Sequence, residues 1–398
     1  MKIRLNTVKI ELFDWLLVAG VCLAPMTGFR IWKIGPGELL CFLWCLRYIF
    51  TKRMIKNDIF KFYSLFIFFM FIGTLFGYAV APNELRVSDF FTWIYLGIIS
   101  SAIYVGLSEK SLEYNENLIY LIARVSIIWY SLLYLYSVFV SKSFLGAPLW
   151  YSGARFSGGG TNPHQVALLL CGCVFVFLRK MLMRENFLKS LVYLTASVFL
   201  VYQTASSTGL LAIAIGIIWM SYLLILDLFP AHKNLAFFLF TLFLIIVGVI
   251  SFPRIYSLFM RWVSNDANGM GRIDIFMSYP QTFIKSPVFG LGPGVHGIDG
   301  YIEYHNTYFE VLAATGLSGG ILFVIHSVKL FKKGLFSDWK LTPIIVVMYA
   351  YGLAGFAMRR LVYWIFIVFA LIISEQIHKK RAKAINYAKN GKELANER

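Results

Sequence analysis

Apolar positions in this chain do not alternate with polar ones; they run together. Continuous apolar stretches of roughly 17 to 25 residues recur from end to end, the length a helix needs to cross the hydrocarbon core of a bilayer. They predict about twelve spans, near residues 11–29, 35–51, 59–80, 88–107, 117–140, 163–180, 188–205, 208–227, 234–252, 305–330, 341–357 and 361–377. The second is short and carries Arg47, and the last two are closely spaced. A membrane barrel would show apolar/polar alternation in segments of about ten residues, and no such alternation is present. The expected fold is an all-α polytopic membrane protein, one integral-membrane domain over residues 1–398.

The polar positions between the runs set an orientation. With the N-terminus inside, Lys2, Arg4 and Lys9 lie in the cytoplasm, followed by Lys52, Arg53 and Lys56 in the next inner loop. Arg179, Lys180, Arg184 and Lys189 come next, then Lys329, Lys332, Lys333 and Lys340. A basic tail over residues 378–398 closes the series with Lys379, Lys380, Arg381 and Lys383. Inverting this topology would break the positive-inside pattern at nearly every loop, so both ends are expected in the cytoplasm. No small-residue cleavage site follows the first apolar run, which is therefore expected to remain as a helix.

Composition agrees with this reading and closes off others. The chain is 59% hydrophobic and 14% charged, against about 25% charge in a soluble domain. Its net charge of +17 would suggest nucleic acid in a soluble protein. Here the basic residues anchor helix ends, and no nucleic-acid partner is expected. The five cysteines, Cys22, Cys41, Cys45, Cys171 and Cys173, lie within apolar runs and read as packing residues.

Two outer segments, residues 141–162 and 251–304, are longer than a connection requires. They are rich in aromatics, glycine and arginine rather than in the residues typical of disorder, so both are expected to be ordered as a cover over the outer mouth of the bundle. Within the second, RIDIFMSYPQTFIKSP places Ile273, Phe276, Met277 and Phe283 at helical spacings. That pattern predicts a short amphipathic helix on the outer membrane surface.

The outer side should be poor in positive charge, yet it carries Arg155, Arg254, Arg261, Arg272, Arg359 and Arg360. The last two sit in a tight hairpin near membrane depth, where arginine is costly unless it meets a polar cavity or an anion. Each could snorkel to headgroups, but together they point to an anionic substrate, because the guanidinium fork suits phosphate oxygens. His305 stands in EYHNTYFEVLAATGLSGG, where the second outer segment enters a span, and could take a proton from an attacking hydroxyl. Asn306 and Glu310 accompany it, and Glu303 lies just before. Glu310, inside the span, is the better placed of the two carboxylates to orient a neighbour. His164, in TNPHQ, carries a weaker version of the same expectation, and His296 none. GLGPGVHG lacks the strand–turn–helix setting of a nucleotide loop and reads as a tight turn. TASSTG, at Thr204 and after, reads as an outer turn whose hydroxyls cap the next helix. The first outer loop, MTGFRIWKIGPGE, offers Glu38 alone, and no cluster suggests a metal. Neither a metal nor a cofactor is expected.

Taken together, these features resemble the O-antigen ligase and O-antigen polymerase superfamily of bacterial envelope glycosyltransferases. The resemblance covers most of the chain and is most specific over residues 271–320. There GRIDIFMSYPQTFIKSPVFGLGPG is followed by His305-Asn306, a nine-residue gap, and Gly316-Leu317-Ser318-Gly319. RFSGGGTNPHQVALLL, beginning at Arg155, is similar to the family's segment before span six. The resemblance implies a multi-pass protein of the bacterial inner membrane with a periplasmic active face. Such enzymes pass a glycan from undecaprenyl diphosphate to an acceptor hydroxyl without metal or nucleotide sugar. Arg272 would then be catalytic and bind the donor diphosphate, with Arg155, and Arg359 or Arg360, assisting. His305 would act as general base on the acceptor or orient it, and Asn306, Glu310 and His164 would join the substrate-contacting set. Implied partners are the lipid-linked donor, the glycan acceptor and membrane lipids, with a chain-length regulator as an optional one. Ligases often carry an arginine in the turn after span seven, where this chain has SSTG, and the NPHQ segment looks closer to polymerases. The histidine–GxxG motif is the one usually quoted for ligases. Polymerase is the preferred expectation, ligase the alternative, and a lipid-linked sugar transporter a third, disfavoured because no two similar halves are visible.

Overall fold

A computed structural model of the chain describes residues 10–31, 34–80, 87–264, 272–294, 304–355 and 357–396. Its helices are α1 (Asp14–Leu23), α2 (Pro36–Ile49), α3 (Lys52–Lys56), α4 (Asp58–Val80), α5 (Val87–Ser108), α6 (Leu112–Phe139) and α7 (Pro163–Leu182). They continue with α8 (Phe187–Gln203), α9 (Ser207–Leu228), α10 (Lys233–Ser264), α11 (Arg272–Lys285), α12 (Thr307–Ser337), α13 (Thr342–Tyr351) and α14 (Leu361–Asn396). A helix lies in each apolar interval predicted above. Eight of the described helices, α4, α5, α6, α7, α9, α10, α12 and α14, contain stretches long and apolar enough to cross a membrane. The chain is a multi-pass α-helical membrane protein. The remaining apolar helices are shorter: α1 and α13 have 10 residues each, α2 has 14 and α8 has 17.

Helices α7 and α14 form the centre. α7 packs against α6, α8 and α13, and α14 against α5, α12 and α13. Gly172 of α7 admits the Phe366 ring of α14, because a Cβ there would lie 2.3 Å from that ring. Helix α10 is the opposite case. Its apolar stretch has no buried residue, as expected of a helix whose solvent is lipid on most sides. It also runs past the predicted end at residue 252 to Ser264, with Pro253 inside it. Apolar residues continue at helical spacing through FPRIYSLFM, so the proline removes one backbone hydrogen bond without ending the helix. Cys22, Cys41, Cys45, Cys171 and Cys173 are buried and unpaired with one another.

One end of the bundle is laced by ion pairs. Arg179, at the last turn of α7, donates to Glu116 at 2.7 Å and Asp338 at 3.1 Å. Lys333 of α12 meets Glu375 of α14 at 2.7 Å, and Glu375 also accepts from the Tyr104 hydroxyl at 2.6 Å. Asp14, buried, accepts from the Trp44 indole at 2.7 Å and from the Tyr114 hydroxyl. Such pairs, buried at Arg179 and Asp14 and partly exposed at Lys333, contribute little net stability but penalise any slip of one helix past another. The groups that sequence singled out lie elsewhere. His164 and Arg179 are fifteen residues apart on α7, about 23 Å at 1.5 Å per residue.

Candidate functional site

Residues 141–162 are ordered, as two miniature hairpins. β1 (Ser143–Phe144) pairs antiparallel with β2 (Ala147–Pro148), and β3 (Trp150–Tyr151) with β4 (Arg155–Phe156), Tyr151 facing Arg155. Leu145 and Gly146, both at positive φ, make the two-residue turn of the first. The segment then lies on the loop between α1 and α2, where Gly28 N–H donates to Gly159 O at 2.9 Å and the Thr27 and Thr161 hydroxyls meet at 2.9 Å. In that loop Glu38 pairs with Arg30. Asn162 then caps α7 by accepting from His164 N–H at 2.8 Å, with Pro163 at the first helical position.

This arrangement brings Arg155 and His164 together. An Arg155 terminal nitrogen lies 3.3 Å from His164 Nε2, and Arg155 Nε donates to Thr204 O at 3.1 Å. His164 Nδ1 is 2.8 Å from Ser206 Oγ. The Tyr351 hydroxyl donates to His164 O at 2.7 Å. Arg155 and Arg360 both lie within electrostatic range of that hydroxyl. Partial burial pushes the Arg155 guanidinium below its ordinary pKa, opposed by the Tyr351 and Tyr151 hydroxyls. A cation in that condition favours an added anion. Ser206, as read from the sequence, caps α9 by accepting from Gly209 N–H at 3.1 Å.

The second histidine enters through α12. His305 is half-buried and adopts φ +51°, a left-handed conformation uncommon outside glycine but less so for His, Asn and Asp. Both of its neighbours are fixed. The Tyr304 N–H donates to Glu310 Oε1 at 2.7 Å, and the buried Tyr304 hydroxyl donates to Thr282 Oγ1 of α11 at 2.5 Å. Asn306 caps α12, accepting from Tyr308 N–H at 2.9 Å and Phe309 N–H at 3.2 Å, while its amide donates to Leu353 O at 2.9 Å. Asn306→Ala should therefore cost about 1–2 kcal/mol in thermal unfolding in detergent, and Asn306→Ser should recover part of it, since serine caps but cannot reach Leu353.

The turn between α13 and α14 joins the two halves. Thr307 N–H donates to Gly352 O at 2.8 Å, Thr307 Oγ1 donates to Gly355 O at 2.8 Å, and Thr208 Oγ1 donates to Ala354 O at 3.0 Å. The starts of α9 and α12 thus hang from one turn, which leads directly to Arg359 and Arg360. Arg359 donates to Asp89 Oδ2 of α5 at 2.9 Å. Arg254 is exposed on α10. Arg272 opens α11, but its side chain, like those of Arg261 and Ile273, lies outside the described residues, as do Glu303 and His296.

Helix α11 is present where the spacing predicted it. Ile275, Ser278 and Thr282 are buried, and Tyr279 stacks on Phe309 at 4.5 Å, whereas Met277 and Ile284 are 71% and 75% exposed. Tyr351, Tyr304, Thr282 and Asp89 were not singled out by sequence. Tyr351 and Asp89 sit in spans, Thr282 in the amphipathic stretch and Tyr304 in the connection before α12, where a tyrosine, threonine or carboxylate has no local signature. Ser206 was visible only as a cap.

Residues 191–324 match the family model described as O-antigen ligase. The match supports a place in the O-antigen ligase and polymerase superfamily. It takes in the Ser206 turn, α11 and His305–Asn306, while Arg155, His164 and Tyr351 of this O-antigen ligase-like chain fall outside it. No curated protein matches the chain.

Proposed function

We propose that this protein is an inverting glycosyltransferase that polymerises undecaprenyl-diphosphate-linked oligosaccharide repeats, such as O-antigen, on the periplasmic face of the inner membrane. The observation that carries the reading is the convergence of the Arg155 hairpin, the His164 and Asn306 helix starts and the Arg360 turn, away from the ion-paired end of the bundle. The acceptor hydroxyl attacks the anomeric carbon of the donor. The bond from that carbon to the diphosphate oxygen breaks, and its electron pair leaves with the diphosphate. His305 takes or directs the hydroxyl proton. The arginines, with Arg272 foremost and Arg155 and Arg359 or Arg360 assisting, stabilise the charge growing on the leaving group. One displacement inverts the anomeric centre. No step calls for a metal. The twelve-span count, with both termini cytoplasmic, belongs to this proposal.

A second reading is favoured by the description of the matched family: an O-antigen ligase that transfers finished glycan to lipid A-core. Surface glycan from cells lacking the protein separates the two. A polymerase predicts lipid A-core bearing a single repeat, with the ladder restored by the wild-type gene. Bare lipid A-core with long glycan stranded on undecaprenyl diphosphate would make it a ligase. Loss of lipid-linked sugar from the outer leaflet would make it a transporter instead.

A further inference from the structure

We propose that His164 is a positioning residue: as a neutral imidazole protonated on Nδ1, it holds the Arg155 guanidinium in place for a diphosphate. This rests on the reading that Arg155 meets the diphosphate of a lipid-linked substrate. A guanidinium only donates hydrogen bonds. The Arg155 nitrogen 3.3 Å from His164 Nε2 must therefore point a proton at a bare ring nitrogen. A neutral imidazole carries one N–H, which then sits on Nδ1 and is donated to Ser206 Oγ at 2.8 Å. An imidazolium would set two donors and two positive charges against each other.

The rest of the residue is fixed as firmly as its ring. Its N–H is bound by Asn162 and its carbonyl by Tyr351. Ser206 is itself pinned by capping α9. Nε2, the atom a proton-accepting role would use, faces the guanidinium. Arg155 in turn spends two of its five N–H donors, on His164 and on Thr204, and the other three have no acceptor among the described residues. Nor does a described carboxylate pair with it, unlike Arg359 and Arg179. A partly buried cation braced from behind, with three of its donors unpartnered among the described residues, suits a ligand bearing several phosphate oxygens.

The test uses full-length protein in nanodiscs and inorganic pyrophosphate as the probe, with dissociation constants from calorimetry. Binding at the basic opposite end is common to every variant and is fitted as a separate class of site. Arg155→Gln should weaken binding about tenfold or more, and His164→Leu about tenfold. His164→Gln, which still offers an acceptor to Arg155, should stay within about threefold. In the Arg155→Gln background, His164→Leu should cost less than about twofold. The inference is overturned if His164→Leu binds as wild type, or if its loss is the same in both backgrounds. If Arg155→Gln itself binds as wild type, the underlying reading of Arg155 fails and the positioning role falls with it, while the case for His305 is untouched.

Discussion

Replacing His305 by asparagine should lower glycosyl transfer by about 10²–10⁴-fold, the usual contribution of a proton-transfer group, while leaving thermal stability within about 1 kcal/mol. Asparagine is the informative substitution because of the backbone. At φ +51° an alanine would be strained, and the loss of the ring would be confounded with a shift of the chain. Asparagine tolerates that conformation. The flanking anchors, Tyr304 N–H on Glu310 and the Asn306 cap on α12, do not involve the imidazole. The measurement is the initial rate of transfer from a synthetic polyprenyl-diphosphate oligosaccharide by purified protein. A rate within about threefold of wild type, with the fold intact, would remove His305 from the chemistry. Transfer would then rest on the arginines alone.

The helical skeleton was legible because a span's signal is local: an apolar run long enough to cross needs no knowledge of its neighbours. The same locality explains what was missed. Arg359 appeared from sequence as a cation awaiting an anion, yet it donates to Asp89, 270 residues earlier in the chain. Tyr351 lies in an apolar run where a tyrosine reads as packing, and only the fold sets its hydroxyl against His164 O. Helix α11 shows the limit of reading a face from spacing. Met277 and Ile284 face outward, while Ile275 and Tyr279 pack against the protein. Between them the inner face uses Ser278 and Thr282, whose hydroxyls find partners at Ile275 O and Tyr304. Arg155 and His164 were each visible from sequence. What was not visible is that a two-hairpin fold of residues 141–162 turns Arg155 back onto the helix that its own segment begins.

The substitution expected to do most damage touches no charged group. Gly316→Ala should destabilise the protein by about 3 kcal/mol or more and reduce transfer by about 10²-fold or more. Helix α12 is broken at Gly316, whose φ +60° and ψ −161° fall in a region essentially reserved for glycine. The break frees backbone groups, and the segment before α12 satisfies them. Leu291 N–H and Gly292 N–H donate to Ala313 O and Ala314 O at 2.8 and 3.0 Å, while Leu317 N–H and Ser318 N–H donate to Pro287 O and Val288 O at 2.8 and 3.1 Å. An amide left unpaired in an apolar surrounding would cost several kcal/mol, so the four bonds hold the break in place. They also weld the segment that follows α11 to both halves of α12, the first of which begins two residues after His305. A Cβ on residue 316 would lie 2.4 Å from the Val288 carbonyl carbon and oxygen, both backbone atoms with no freedom to turn aside. The weld would open, and a shift of about 1 Å between α11 and His305 is enough to cost about 10²-fold in rate. Gly320→Ala is the matched control. Its Cβ meets only the end of the Leu312 side chain, which can rotate away, and a helical glycine replaced by alanine should be neutral or gain up to about 1 kcal/mol. Scanning fluorimetry and the transfer assay on both variants decide the matter. If Gly316→Ala behaves like Gly320→Ala in both, the break in α12 is not what fixes the start of α12 for transfer.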